Sequence, residues 1–304
     1  MVSASPDNAV VRTVNGDVPA DRLGVVDAHD HLFIRSPLLP GQEVADAEDA
    51  GARLAAFHEL GGGTVVQWTP YGMGRRADLL PGLSRRSGVQ VVAATGLHQA
   101  AHYPPELLDS VRDSLAELFV REITEGVTGT EGAVRAGLIK VAGGFHGLDA
   151  HARLTLRAAA EAHHRTGAAI AVHLELGTGA LDVLELLCGE AGVAPDRVVL
   201  GHLNRSPDFT VHHQLASAGA YLAFDGPSRA NHATDWRMPD ALGALADAGF
   251  ADQLLLGGDT VTPDTPGMPH LLRRVRPRLE LALGRELVER ILVANPPGAF
   301  ALRR

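Results

Sequence analysis

The run Val25-Val26-Asp27-Ala28-His29-Asp30-His31 has the length of a β-strand, begins with two valines and ends in two histidines separated by one residue. Seven comparable runs rich in Val, Ile, Leu and Ala follow it at fairly even intervals. Near-continuous apolar runs are typical of parallel strands that are covered on both faces. The eight predicted strands are Val25–His31, Thr64–Thr69, Val89–Leu97, Leu138–Ala142, Ala169–Leu174, Val198–Leu203, Ala220–Phe224 and Gln253–Gly258.

Amphipathic segments of helical length lie between these runs. The predicted helices are Ala45–Leu60, Pro105–Glu125, His151–Thr166, Leu181–Ala191, Thr210–Ala218, Pro239–Ala248 and a last helix, Leu281–Leu292, which Asn295-Pro296-Pro297 is expected to stop. Strands that alternate with helices, without a long low-complexity linker, predict an α/β fold: a closed (β/α)8 TIM barrel that residues 1–304 form as a single domain. The weak alternation of Val10–Val18 predicts a short N-terminal hairpin on the floor of the barrel.

The composition limits the class of partner. The formal net charge of −9 argues against nucleic acid or an anionic membrane as the main partner. The single cysteine, Cys188, allows no internal disulfide, which fits a reducing cytosol. No signal-peptide pattern is seen at the N-terminus, and no apolar run approaches the roughly 20 residues that span a bilayer. We therefore expect a cytoplasmic protein that acts on a small molecule, and a homodimer would be unsurprising.

Lys140 is the only lysine among the 27 basic residues of the chain. It lies in the apolar run Gly137-Leu138-Ile139-Lys140-Val141-Ala142, where a buried charge would be costly. An amine can lose its proton and become a nucleophile or, after carboxylation, a metal ligand, whereas a guanidinium effectively cannot deprotonate. The sequence therefore marks Lys140 as a candidate for chemistry, with a structural lysine at a strand end as the alternative.

Polar residues mark the carboxyl ends of five predicted strands, which is where barrels of this kind place their reactive side chains. These residues are His29 and His31 on the first strand, Lys140 on the fourth, His173 on the fifth, His202 on the sixth and Asp259 on the eighth. His29 and His31 are two residues apart, so both imidazoles can face the barrel interior while Asp30 points outward. One such histidine would more often be a core residue, but this convergence predicts an active site. By contrast, His163-His164 and His212-His213 lie on polar helical faces and are predicted to be solvated.

These residue types predict a metal centre. Imidazoles and carboxylates suit Zn, Mn, Co or Fe, and zinc is the first choice. Four histidines and one aspartate are too many for a single catalytic metal with an open position, but they suit two metals. Lys140 could supply the bridging anion, because its neutral amine would add carbon dioxide to give a carbamate with two oxygens. Two nearby dications would favour this form over an ammonium with the ordinary pKa of about 10.4.

His29-x-His31, Lys140, His173, His202 and Asp259, in this strand order, resemble the pattern of the phosphotriesterase family of the amidohydrolase superfamily. The likeness extends from Val11-Arg12-Thr13-Val14-Asn15-Gly16 to Asn295-Pro296-Pro297. It implies a hydrolase with two divalent metals. His29, His31 and Asp259 would bind the more buried metal and His173 and His202 the more exposed one, with Lys140 bridging them as a carbamate.

Two positions depart from the pattern of this family. Asp30 stands where many members carry Glu. His98 follows the third strand near the position where lactonases of the family commonly carry Tyr. The absence of that Tyr puts an acyl-homoserine lactone specificity in doubt. We predict that His98 hydrogen-bonds substrate, with a core histidine as the alternative.

The resemblance implies metal-assisted hydrolysis in which Asp259 takes the proton of the attacking water. Arg205 and Arg229 follow the sixth and seventh strands, and Tyr71 follows the second, together with Arg75-Arg76. Arginine forks suit carboxylate or phosphate, so we expect a lactone or ester substrate, for example a sugar lactone that carries an anionic group.

Three other functions stay open from the sequence alone. The family name suggests phosphotriester (organophosphate) hydrolysis. A lyase could form a Schiff base through Lys140, but the four histidines would then have no role. The barrel could also bind metal without turnover.

Overall fold

The computed structural model describes residues 9–227 and 232–303. Strands β1 (Val10–Thr13) and β2 (Gly16–Pro19) form an antiparallel hairpin, which confirms the predicted one. Arg12 fastens this hairpin, because its guanidinium pairs with Asp17 at 2.7 Å and donates to the carbonyl of Ile123 at 2.7 Å. The backbone N–H of Val14 also donates to the carbonyl of Val91, near the start of a barrel strand. The hairpin therefore covers the floor of the barrel, as predicted.

Eight parallel strands form a nearly closed barrel, so the predicted fold class is confirmed. The strands are β3 (Val25–Asp30), β4 (Gly62–Gln67), β5 (Gln90–Thr95), β6 (Leu138–Ala142), β7 (Ala169–His173), β8 (Val198–Leu200), β9 (Tyr221–Asp225) and β10 (Leu254–Gly257). They neighbour one another in chain order. The last and first strands meet where the N–H of Asp259 donates to the carbonyl of His29 at 2.9 Å, and that of Gly258 to Asp27 Oδ1 at 3.0 Å.

The predicted strands match those observed, with ends that differ by up to three residues. The largest difference is at β8, which ends at Leu200 instead of Leu203. His202 adopts a left-handed backbone conformation (φ 65°), which an extended strand cannot contain. Side chains alternate between two apolar clusters. In β6, Leu138 belongs to the cluster inside the barrel, and Ile139 and Val141 to the cluster between barrel and helices. This alternation puts Lys140 on the interior face.

The helices are α1 (Ala47–Glu59), α2 (Leu80–Ser87), α3 (Pro105–Val111), α4 (Leu115–Thr124), α5 (Ala150–Thr166), α6 (Ala180–Leu184), α7 (Phe209–Ala218), α8 (His232–Asp235), α9 (Met238–Asp247), α10 (Gly267–His270), α11 (Arg276–Leu283), α12 (Arg285–Glu289) and α13 (Asn295–Phe300). The prediction of one helix over Pro105–Glu125 was wrong, because a 3₁₀ turn over Arg112–Ser114 separates α3 from α4. None of the described helices is long and apolar enough to cross a membrane.

Two further predictions need correction. Asn295-Pro296-Pro297 starts α13 instead of stopping a helix, because proline at the first helical positions removes only N–H groups that lack an intrahelical acceptor. His163 and His212 are buried instead of solvated. His163 Nδ1 lies 2.7 Å from the carbonyl of Ala168, and His212 Nε2 lies 3.1 Å from that of Leu203. Each imidazole thus satisfies a backbone carbonyl inside the helical layer.

Candidate active site

Lys140 lies on the interior face of β6 and is only 1% exposed. Burial lowers the pKa of its amine to about 7, and the charge of Asp259 opposes this shift only in part. A large fraction of the amine is therefore uncharged at neutral pH. The neutral amine is the form that can attack an electrophile such as carbon dioxide.

His29 and His31 come from the end of β3, and both are buried. Their rings lie 5.4 Å apart, and the ring of His29 stacks on Trp68 at 3.7 Å. His31 Nδ1 lies 2.7 Å from the hydroxyl of Thr69. Burial, followed by the charges of His29 and Lys140, lowers the pKa of His31 well below its usual value. His31 is therefore a neutral imidazole at physiological pH.

Asp30 lies outside this cluster, as its alternation with the histidines predicts. Its Oδ1 accepts hydrogen bonds from the backbone N–H of His31 at 2.7 Å and of Thr260 at 2.9 Å. The side chain thus ties the end of β3 to the loop after β10.

His173 and His202 come from neighbouring strands and face each other at the mouth of the barrel. His173 ends β7, and His202 follows β8. Nδ1 of His173 lies 2.7 Å from Nε2 of His202, and the ring centroids are 4.4 Å apart. Burial, followed by the charge of His202, lowers the pKa of His173 well below its usual value.

Asp259 follows β10 and faces the first-strand histidines. Its Oδ1 lies 3.5 Å from His29 Nε2 and 3.6 Å from His31 Nε2. This buried oxygen has no hydrogen-bond partner among the described residues. Its Oδ2 accepts a hydrogen bond from Arg205. The residues predicted from five strands thus converge at the carboxyl ends of the barrel.

Asp225, at the end of β9, was missed by the sequence analysis. Its Oδ2 lies 2.7 Å from His29 Nδ1, and its Oδ1 lies 2.5 Å from His202 Nδ1. The backbone N–H of His202 also donates to Oδ2 at 3.1 Å. One buried carboxylate therefore orients two imidazoles. Since it directly follows the apolar run of the seventh predicted strand, the strand-end rule that selected the other residues would have found it.

Glu175 was also missed. Its Oε2 lies 3.2 Å from His173 Nε2 and accepts a hydrogen bond from Gln99 at 2.9 Å. The hydrogen bond with His173 lowers the pKa of Glu175 to about 2. Glu175 is therefore ionised and holds the ring of His173 from the solvent side. The only available signal was its position two residues after a strand-end histidine.

The structure places His98 beside this group. The ring of His98 lies 4.5 Å from that of His173 and stacks on His102 at 4.2 Å. His98 is buried, and its Nδ1 accepts a hydrogen bond from the backbone N–H of Gln99 at 2.7 Å. Burial, followed by the charge of Lys140, lowers the pKa of His98 well below its usual value.

The side chains after the second predicted strand have other contacts. Tyr71 is half-buried, with its ring 5.7 Å from the guanidinium carbon of Arg75. Arg75 is buried and pairs with Glu122 at 2.5 Å and 2.8 Å. Arg76 is exposed and pairs with Asp78. Within the described part of the chain, no side-chain hydrogen bond or ring contact joins Tyr71 to the clustered imidazoles, and Arg229 lies outside the described residues.

Two groups of side chains have the donor atoms and spacing to hold a metal ion. They are His29 with His31 and Asp259, and His29 with His202 and Asp225. The ligand atoms in each group lie within 4.8 Å of one another.

Comparison with known proteins assigns the chain to a class and a family. It is 31% identical to the phospho-furanose lactonase of Mycoplasmopsis synoviae, over 97% of this chain and 92% of that protein. The lactonase Lmo2620 from Listeria monocytogenes has a TM-score of 0.90 at 28% identity, covering 97% of this chain and 100% of that chain. The phosphotriesterase homology protein from Escherichia coli was solved with phosphate in its active site. It has a TM-score of 0.85 at 27% identity, and the match covers 92% of this chain and 99% of that chain.

The barrel, its polar mouth and these relatives define a hydrolase. Residues 9–300 match the phosphotriesterase family, and the chain belongs to that family.

Proposed function

We propose that this protein is a binuclear metal-dependent hydrolase that opens lactones, with sugar lactones bearing a phosphate or carboxylate as its substrate class. The observation that carries the proposal is the convergence of four buried or half-buried imidazoles, a buried carboxylate and a buried lysine at the carboxyl ends of the strands. We assign His29, His31 and Asp259 to one cation, His173 and His202 to the other, and Lys140 to both.

The donor atoms fit divalent cations. Asp225 and Glu175 accept from the far ring nitrogens of His202 and His173, so the facing nitrogens of these rings, 2.7 Å apart, both carry lone pairs. Two facing lone pairs repel each other, and the low pKa of His173 disfavours relief by a proton. Asp259 Oδ1 is likewise buried without a partner among the described residues. The two proposed cations would together satisfy all three atoms.

Lys140 is proposed to bridge the cations as a carbamate. Its neutral amine adds to carbon dioxide, a C–N bond forms, and one proton leaves to solvent, so a neutral side chain becomes an anion. The pKa of about 7 makes the reactive amine available at physiological pH. The net change supplies the negative charge that a pair of dications requires.

Divalent cations held by these residues would supply Lewis acidity, which would polarise a substrate carbonyl and make water a stronger acid. Asp259 is proposed to accept the proton that the attacking water loses and to pass it outward. Asp225 keeps the rings of His29 and His202 oriented throughout. His98, with its ring 4.5 Å from that of His173, is placed to hydrogen-bond the substrate.

The substrate class rests on the relatives and on arginine. One relative is named a phospho-furanose lactonase, and another was solved with phosphate in its active site. Arg229, which follows β9 in the sequence, is proposed to contact the anionic group, and Tyr71, which follows β4, is a second candidate. Arg205 is the other arginine that the sequence assigned to the anion.

The test combines metal analysis with a substrate screen. Purified protein is stripped with a chelator, reloaded with Zn, Mn or Co, and assayed on sugar lactones with and without phosphate or carboxylate, aryl esters and neutral organophosphates. His202→Ala is compared with His164→Ala, a histidine on the exposed surface of α5. We expect two metals per chain, highest kcat/KM on anionic lactones, a loss of about 100-fold or more in His202→Ala, and wild-type rates in His164→Ala.

Each alternative gives a different result. A kcat/KM for a neutral organophosphate far above that for every lactone would establish phosphotriester hydrolysis as the function. A borohydride-trapped adduct on Lys140 would identify a lyase. Metal binding with no turnover across the screen would identify a binding protein.

A further inference from the structure

The side chain of Arg205 connects two loops at the mouth of the barrel. It lies in the loop after β8, and its Nη2 donates to Asp259 Oδ2, in the loop after β10, at 2.8 Å. The side chain of Arg205 is 19% exposed and that of Asp259 is 3% exposed. This ion pair is therefore largely screened from solvent, where such hydrogen bonds are stronger than at the surface.

The two oxygens of Asp259 have different partners. Oδ2 faces Arg205, while Oδ1 faces the Nε2 atoms of His29 and His31 at 3.5 Å and 3.6 Å. A carboxylate held at one oxygen cannot rotate freely about its χ2 bond. Arg205 thus fixes which oxygen of Asp259 is presented to the first-strand imidazoles.

Gly226 leaves the space that this contact needs. A Cβ on Gly226 would lie 2.8 Å from Arg205 Nη2 and 2.9 Å from both Cβ and Oδ2 of Asp259. Every other residue type would therefore push the ion pair apart. The φ of +55° at Gly226 adds a backbone preference for glycine.

Carboxylates surround the guanidinium. Burial opposes the charged form of Arg205, but the carboxylates of Asp259, Asp225 and Asp235 raise its pKa overall. An anionic substrate group that approached Arg205 would meet these three negative charges. These carboxylates therefore favour pairing of the Arg205 guanidinium with a side chain of the protein over binding of an anion from solution.

We propose that Arg205 is a positioning residue that holds Asp259 in the orientation in which Oδ1 faces the imidazoles of His29 and His31. Gly226 has no Cβ, which leaves room for the guanidinium of Arg205 beside Asp259. This inference rests on the metal-dependent function proposed above. It differs from the substrate-binding role assigned to Arg205 from sequence, because it predicts an effect on metal affinity and kcat instead of on KM.

The test uses full-length protein and two readouts: zinc affinity by competition with a chelator, and kcat and KM on one neutral and one phosphorylated lactone. We expect Arg205→Met to weaken zinc binding and lower kcat about 10–100-fold each, with KM for both lactones unchanged. Arg205→Lys should recover part of both losses, because an ammonium can still donate one hydrogen bond to Asp259. Circular dichroism checks that each variant is folded.

Gly226→Ala tests the same contact with Arg205 intact and should reproduce both losses. Gly192→Ala is the matched control, because Gly192 also has a positive φ (+70°) but nothing lies within 4 Å of the position that a Cβ would occupy there. This control should leave zinc affinity and kcat unchanged.

Two results would overturn the proposal. One is a raised KM for the phosphorylated lactone alone in Arg205→Met, with wild-type zinc affinity. The other is a Gly226→Ala protein with wild-type zinc affinity and kcat. If instead the wild-type protein binds no zinc and opens no lactone, the proposed function fails, which is a distinguishable outcome.

Discussion

Asp225→Asn is the substitution that probes the site most sharply, because it changes one atom of a carboxylate that is fully buried. Both oxygens of Asp225 accept hydrogen bonds, from His29 Nδ1, from His202 Nδ1 and from the backbone N–H of His202. An asparagine offers only one acceptor, and its NH₂ group would face one of the two rings. Since Oδ2 already accepts two hydrogen bonds, we expect the amide oxygen to occupy that position and the NH₂ group to face His202.

The consequence is a change of tautomer. His202 Nδ1 would have to accept a hydrogen bond, so its proton would move to Nε2, the nitrogen that faces His173 at 2.7 Å. That nitrogen then has no lone pair for a cation. The loss of a hydrogen bond to a charged acceptor is worth about 1.5–3 kcal/mol, which corresponds to a factor of about 10–100 in affinity. This agrees with the usual effect of removing a residue that orients a metal ligand.

We therefore expect Asp225→Asn to bind zinc about 10–100-fold more weakly and to lose activity in proportion. The assay is chelator competition, together with ¹⁵N NMR of labelled histidines, in which the shifts of Nδ1 and Nε2 report the tautomer directly. Asp208→Asn is the matched control: Asp208 caps α7 at an exposed position, where Asn caps equally well. Wild-type zinc affinity in Asp225→Asn, or an unchanged His202 tautomer, would refute this reasoning.

Three other substitutions test the site and the fold. Glu175→Gln should weaken zinc binding about 10-fold in chelator competition, because an amide holds His173 less strongly than a carboxylate does; unchanged affinity would count against a positioning role. In metal-free protein, the folded state holds the Lys140 proton more weakly than the unfolded state does, because the pKa of the lysine amine is 10.5 in the unfolded chain and lower in the folded one. The unfolding free energy, measured by urea titration, should therefore rise from pH 7 to pH 10 by up to about 4 kcal/mol more in the wild-type protein than in Lys140→Met. The same pH dependence of the unfolding free energy in both proteins would contradict this. Glu122→Gln should destabilise the fold by about 3–5 kcal/mol, since it leaves the buried guanidinium of Arg75 without its negatively charged partner, and an unchanged melting temperature would disprove it.

The barrel could be predicted from sequence because its signal is repeated. Eight apolar runs at even intervals specify the strand order, and small errors at the ends do not alter it. The helices were less predictable, since the amphipathic pattern of Pro105–Glu125 continues through the 3₁₀ turn that breaks it. Arg75 shows a second limit. Its position in a loop indicated an accessible cation, but its partner, Glu122, lies 47 residues away and buries it.

The candidate ligands could be predicted because each lies in or directly after the run of a single strand, a property of that strand alone. The same rule would have selected Asp225, but not which rings it orients, because that depends on neighbouring strands. His202 (φ 65°) and Asp259 (φ 47°) both have left-handed backbone conformations, which cost non-glycine residues about 1–3 kcal/mol. The N–H of His202 is held by Asp225 Oδ2 and that of Asp259 by the carbonyl of His29. Each strained residue is therefore stabilised by a hydrogen bond to another strand, so the direction of its side chain is a property of the closed barrel, and a substitution on one strand should disturb a ligand on the next.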